Sequence, residues 1–160
     1  MFMCLHLQSE ILLVYYITRN KMNEFSREDI IKLIKEKKSL IGYDLSKCDL
    51  WEIDFSKIDL SDVNFTRANL WGCNFSNSNL RRCNFKKSDL RGCIFVGADC
   101  ENANFYEANL SDSNFSSANL KNANLRFAIL RNSKLNDALM NGVDIENADL
   151  TNANWILAKW

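Results

Sequence analysis

At 160 residues the chain has room for one domain and not for two comfortable ones. Apolar residues make up 47% and charged residues 25%, an ordinary globular composition, and the 20 basic and 20 acidic side chains cancel. That balance removes any whole-molecule field toward nucleic acid or an acidic membrane surface. The absence of proline and the presence of only five glycines exclude a chain built from tight hairpins and imply a regular repeat that manages without them.

Residues 1–21 do not resemble the rest of the chain. The apolar run Ile11–Ile17 is far short of the roughly 20 residues that span a bilayer. A secretory signal wants positive charge ahead of its apolar stretch, and here Glu10 precedes the run and Arg19 follows it. Two readings stay open for this uncertain tail: translation from Met22 or a misjoined reading frame, and an ordered N-terminal extension or strand.

Residues 22–38 read as a cap. Ser26 stands three residues before Asp29, a capping-box signal. Ile30, Ile31, Leu33 and Ile34 then recur at helical spacing with lysines opposite, which predicts a helix over about 27–37. An amphipathic helix of this kind covers the first turn of a repeat array, whose open end otherwise invites edge pairing.

Residues 39–160 are the repeat. From Leu40 to Trp160 every fifth residue is large and apolar, Cys100 excepted, and two positions earlier stands a small or modest residue such as Ala68, Cys73 or Ser78. Asp or Asn usually lies between the two. A period of five fits neither a helix nor a simple strand; it fits a short extended segment and a turn, repeated around a closed coil. Between residues 55 and 119 Phe and Leu alternate at the central position, so the true period is ten and the coil has an even number of sides. Two sides leave no room for inward Phe and Leu. Four sides give twenty residues per coil, about six coils, and a rod roughly 29 Å tall at the ordinary strand spacing. The fold class is therefore all-β: a quadrilateral parallel β-helix with an N-terminal α-helical cap.

The six cysteines mostly fall on inward positions, and no C-x-x-C pair accompanies the lone histidine, His6. They read as reduced core residues of a cytoplasmic protein, with neither a disulfide framework nor a zinc site. No cofactor is expected. The carboxylates follow the repeat instead of converging, no glycine-rich phosphate loop is present, and a filled core leaves no cleft for a small-molecule substrate. The chain reads as a non-enzyme.

Function then falls to outward positions, where residues twenty apart become neighbours. Trp51, Trp71 and Arg91 form one such column and are the leading candidates for contact with a protein partner, Trp and Arg being the residue types enriched in binding hot spots. Trp51 and Trp71 are expected to stack, with Arg91 next in line; a local cover for the wall is the alternative. Lys47, Arg67 and Lys87 form a second column, with Lys86, Arg126, Arg81, Arg82 and Arg91 around it. This basic patch suits an acidic protein; nucleic acid is disfavoured because no interleaved aromatic platform accompanies it. Ile94, Ile129, Leu139 and Phe127 take outward slots and suggest a contact surface. Trp155 and Trp160 mark the last coil as the end where two copies would pack into a homodimer.

The units Ala-Asn-Leu-Ser-Asp (108–112), Ser-Ala-Asn-Leu-Lys (117–121) and Asn-Ala-Asp-Leu-Thr (147–151) resemble those of pentapeptide-repeat proteins. The resemblance covers about three-quarters of the chain and implies a right-handed coil. Residues 26–50 look like the junction in BTB adaptors of the potassium-channel-tetramerisation type. That likeness implies the substrate-contacting half of a ubiquitin-ligase adaptor, without the BTB domain that would hold the cullin. The alternative drawn from the wider family is a DNA mimic that binds DNA gyrase and protects it from inhibitors. Residues 39–160, however, carry 15 acidic and 13 basic side chains, a net of −2, where a mimic should be far more negative.

Overall fold

The computed structural model describes residues 25–160; the readings of the first twenty-one residues and of Met22 lie outside the described residues. Helix α1 spans Arg27–Lys35 and begins with a full capping box. The Ser26 hydroxyl accepts from the Asp29 N–H at 3.1 Å, and the Asp29 carboxylate accepts from the Ser26 N–H at 3.1 Å. The helix stops two residues before the expected Lys37. Lys37 adopts a left-handed φ of 54°, Lys37 N–H donates to Ile34 O and Lys38 N–H to Leu33 O. That is a Schellman stop made with lysine where glycine is usual, so the sequence carried no sign of it. Ile30 and Leu33 are buried against the first coil, while Ile31 and Ile34 pack partly on it.

The rest of the chain advances by twenty residues per coil. Parallel bridges join each outward residue to the one twenty later, from Asp44 with Asn64 to Leu139 with Lys159. Each side contributes one bridged residue, because the turn consumes the others. That turn places every fifth residue from Gly42 to Leu157 in the left-handed region, and glycine occupies only five of those positions. A bulky residue bears strain there, which the inter-coil bonds offset; Lys47 N–H, for example, donates to Thr66 O at 2.9 Å.

Four interior columns result, and each names a wall. Phe55, Phe75, Phe95 and Phe115 stack ring on ring with centroids 4.3–5.2 Å apart. Phe65, Phe85 and Phe105 do the same at 4.9–5.0 Å, and the two stacks meet edge to face at 5.8–6.3 Å. Both arrangements are favoured by the ring quadrupole. All seven rings are fully buried. Leucine columns through Leu50 and Leu60 form the other two walls, with Cys100 and then Met140 standing in the Leu60 column. Ser and Cys at the small positions bond the backbone: Ser78 Oγ donates to Phe75 O at 2.6 Å and Cys83 Sγ to Leu60 O at 2.9 Å.

Among the described residues, Cys73, Cys83, Cys93 and Cys100 are free and buried, and Cys48 is buried with them. Burial pushes the Cys73 and Cys83 thiols up to about 12, which makes them core groups and not nucleophiles. Outside, Asp and Asn accept from the backbone two residues on, as Asp44 does from Ser46 N–H at 3.0 Å. They also ladder between coils, Asn64 Nδ2 donating to Asp44 Oδ1 at 2.9 Å.

Candidate functional site

The Leu50 wall carries both groups of residues that the sequence nominates for a partner. Its midline is Asp49, Asn69, Asp89, Asn109, Ile129 and Asp149, joined bridge by bridge. The turn before it holds Lys47, Arg67 and Lys87, and the turn after it holds Trp51, Trp71 and Arg91. The two columns are thus the opposite edges of one face, four residues apart in every coil. In the first three coils the short midline side chains Asp49, Asn69 and Asp89 lie between longer side chains at the two edges.

Geometry sorts these six residues. Trp71 is 45% exposed and makes no ring contact with Trp51, so the expected Trp stack does not form. Trp51 is instead covered in part by the cap: the Arg27 guanidinium lies 4.4 Å over its ring, and Arg27 Nε donates to Trp51 O at 2.8 Å. Arg91 does not continue the aromatic column. It turns back on its own coil to grip Asp89 through two bonds, Nε–Oδ1 at 2.8 Å and Nη2–Oδ2 at 2.6 Å, and Arg91 holds the Asp89 carboxyl below its usual range. Lys87 pairs with Glu107 one coil later at 3.2 Å. Lys47 and Arg67 are exposed and form no ion pair.

The surrounding basic patch is not a free positive surface, because acidic residues neutralise it coil by coil. Arg81 bridges Asp99 at 3.2 Å and Glu101 at 2.5 Å, Arg82 grips Asp62 at 2.7 Å, and Arg126 meets Glu146 at 2.7 Å. Lys86 lies 5.1 Å over the Tyr106 ring. Most of these pairs are twenty residues apart, so the coil length already implied them, and only the count by column was missing.

The outward apolar residues do not form one surface either. Ile94 lies on the Phe55 wall and Leu139 on the Leu60 wall, whereas Phe127 and Ile129 share the fifth coil of the Leu50 wall. Phe127 is 42% exposed, sits at the left-handed position with φ 57°, and packs edge-on to Tyr106 at 5.6 Å. At the last coil Trp155 and Trp160 meet at 6.2 Å and are 44% and 58% exposed, beside exposed Ile156 and Leu157.

Among the described residues no group of His, Cys, Asp or Glu is arranged to hold a metal ion, and no helix is long and apolar enough to cross a membrane. A shallow depression of about 470 Å³ lies on the outer side of α1, lined by Arg27, Glu28, Ile31, Lys32, Lys35 and Glu36. Its lining is charged residues of both signs around Ile31.

A family model described as pentapeptide repeats matches residues 44–82, 58–97, 83–122 and 118–154. The chain belongs to the pentapeptide-repeat family. Membership implies the right-handed quadrilateral β-helix. Among solved structures, a pentapeptide-repeat protein from the cyanobacterium Cyanothece 51142 is 25% identical, over 83% of this chain and 97% of that one, with a TM-score of 0.37. A trypsin-treated variant of QnrB1, a plasmid-mediated fluoroquinolone resistance protein, is 21% identical over 72% of each chain, with a TM-score of 0.42. HetL, a pentapeptide-repeat protein involved in heterocyst differentiation regulation in Nostoc sp. strain PCC 7120, is 16% identical over 81% of this chain and 94% of its own, with a TM-score of 0.30. Comparison with curated proteins finds no match.

Proposed function

We propose that this pentapeptide-repeat protein is a non-enzymatic scaffold that binds another protein along the Leu50 wall. One observation carries the reading: the coil brings the Trp51–Trp71 edge and the Lys47–Arg67–Lys87 edge onto the same face. Exposed Trp beside unpaired cations is the composition of a binding hot spot, and a rigid rod holds it without an ordering cost on its own side. A filled interior and carboxylates engaged in ladders and ion pairs leave nothing to converge on a substrate.

Three further readings stand beside this one. The substrate-contacting half of a ubiquitin-ligase adaptor rests on the likeness of residues 26–50 alone. A DNA mimic is disfavoured by the net charge of −2 over residues 39–160 and by the pairing of eight of the fifteen carboxylates there with Arg or Lys. A homodimer through the last coil rests on exposed Trp155, Ile156, Leu157 and Trp160; sedimentation should then show a dimer that Trp160→Glu dissociates.

The test is photo-crosslinking in cells with a reactive amino acid placed at position 69, mid-wall, or at position 119, on the opposite Leu60 wall. Position 69 should give a discrete protein adduct, and position 119 should not. Equal labelling from both walls, or none from either, removes the Leu50 wall as the binding face.

A further inference from the structure

Seven arginines lie among the described residues, and five hold carboxylates: Arg81, Arg82, Arg91, Arg126 and Arg131. The two without a carboxylate are Arg27 and Arg67. Arg27 stacks on Trp51 at the tryptophan edge of the Leu50 wall, and Arg67 stands on the opposite edge in the same coil as Trp71. Lys47, one coil below Arg67 in the same column, has no carboxylate either. Like charges in successive coils repel at about the 4.8 Å coil spacing, a cost that the protein relieves elsewhere with acidic residues at i+20 and leaves unrelieved here. Of the midline acids in these coils, Asp89 is held by Arg91, while Asp49 accepts from the neutral Asn69 amide at 2.6 Å.

Two exposed apolar side chains stand farther along the same wall. Ile129 replaces the polar midline residue in the fifth coil, and Phe127 occupies the cation column beside it. A bulky aromatic ring held at positive φ and exposed to water gains little from folding, and strain of this kind collects at functional positions. Trp71 in the second coil and the Phe127–Ile129 pair in the fifth are three coils apart, about 14 Å. An extended peptide covers that distance in four residues at roughly 3.4 Å each, and residues i and i+4 face the same side.

We infer that the Leu50 wall takes an extended acidic segment of a partner protein, carrying two large apolar side chains four residues apart. One apolar side chain packs on Trp71 and the other on Phe127 and Ile129. Acidic residues around the first meet Arg67, Lys47 and Arg27. This rests on the wall being the protein's binding face and specifies the chemistry of what binds there.

The probe is a dye-labelled peptide of glutamates with two leucines four positions apart, titrated into the full chain by fluorescence anisotropy. Binding should saturate below about 1 mM. Arg67→Glu should weaken it at least tenfold and Phe127→Ser severalfold, while Lys57→Glu, at the corner between the Phe55 and Leu60 walls, leaves it unchanged. Lys47→Glu is the second reversal, and thermal melts of each variant establish that the rod is intact. Moving the leucines to a spacing of three should weaken binding, because one then faces away.

The inference is overturned if the peptide fails to bind the wild-type chain. It is equally overturned if Lys57→Glu matters as much as Arg67→Glu, if leucine spacing has no effect, or if a DNA duplex of equal charge binds more tightly. A crosslinked adduct at position 69 with no response to the acidic peptide would keep the binding face and reject this partner chemistry.

Discussion

The second through fifth coils and the last coil have the same five-residue pattern and opposite environments. Phe75, Phe85 and Phe95 are fully buried, each sandwiched between rings above and below. Trp155 holds the equivalent inward position in the last coil and is nearly half exposed, and Ile145 and Leu150 beside it are only partly covered. The pattern therefore aims a side chain inward, but burial comes from the neighbouring coils. Beside the backbone ladder, polar contacts on its outer surface tie the last coil to the one before it. Asp149 accepts from the Thr151 hydroxyl at 2.6 Å and the Thr151 N–H at 3.1 Å, and from Arg131 Nε of the previous coil at 2.5 Å.

Truncating a ring in each region gives the largest contrast. Phe85→Ala should cost about 3–5 kcal/mol, because the stacks cannot collapse into the void. Trp155→Ala should cost less, about 2 kcal/mol, because only a little over half of its surface leaves water. Urea unfolding midpoints of the two variants check this, and equal midpoints would erase the distinction. A smaller effect of opposite sign is expected at Ser133, whose buried hydroxyl has no hydrogen-bond partner. Ser133→Ala matches the alanines at 123, 128 and 138 and should raise stability by about 1 kcal/mol, read as a higher midpoint in the same assay.

The smallest expected effect is acid loosening confined to the last coil. The Thr151 hydroxyl, Arg131 and the Thr151 N–H hold the Asp149 carboxyl down to about 2, from an unperturbed 3.8. A lowered folded value means that the stabilisation is complete above about pH 4 and fades as the pH falls toward 2. Amide exchange in residues 141–160 should therefore speed up over that interval before exchange in the phenylalanine coils does, and Asp149→Asn should flatten the dependence.

Most of the architecture was legible because it comes from spacing. Alternating Phe and Leu fixed twenty residues per coil, and the facing ring stacks came with that length. The capping box was legible too, whereas the helix stop was not, since Lys37 takes the position that glycine usually marks. At the wall, columns were readable and side-chain choices were not. Arg91 has Trp71 one coil below and Asp89 two residues back, and the bidentate carboxylate contact prevails. Arg27 reaches Trp51 from a helix whose placement no repeat period encodes. The fifth-coil pair was within reach, because 127 and 129 are eighty residues beyond 47 and 49 and so fall on the same wall.

The shared wall depends on one length: the advance per coil. Spin labels at positions 47 and 127, introduced as cysteines with Cys4 replaced by serine and the five buried thiols left in place, sit four coils apart in one column. Their dipolar spectrum should give a narrow distribution centred on about 19 Å, four strand spacings. A broad distribution, or a centre beyond about 30 Å, would mean that residues twenty apart are not neighbours, and the cation and tryptophan columns would no longer border one wall.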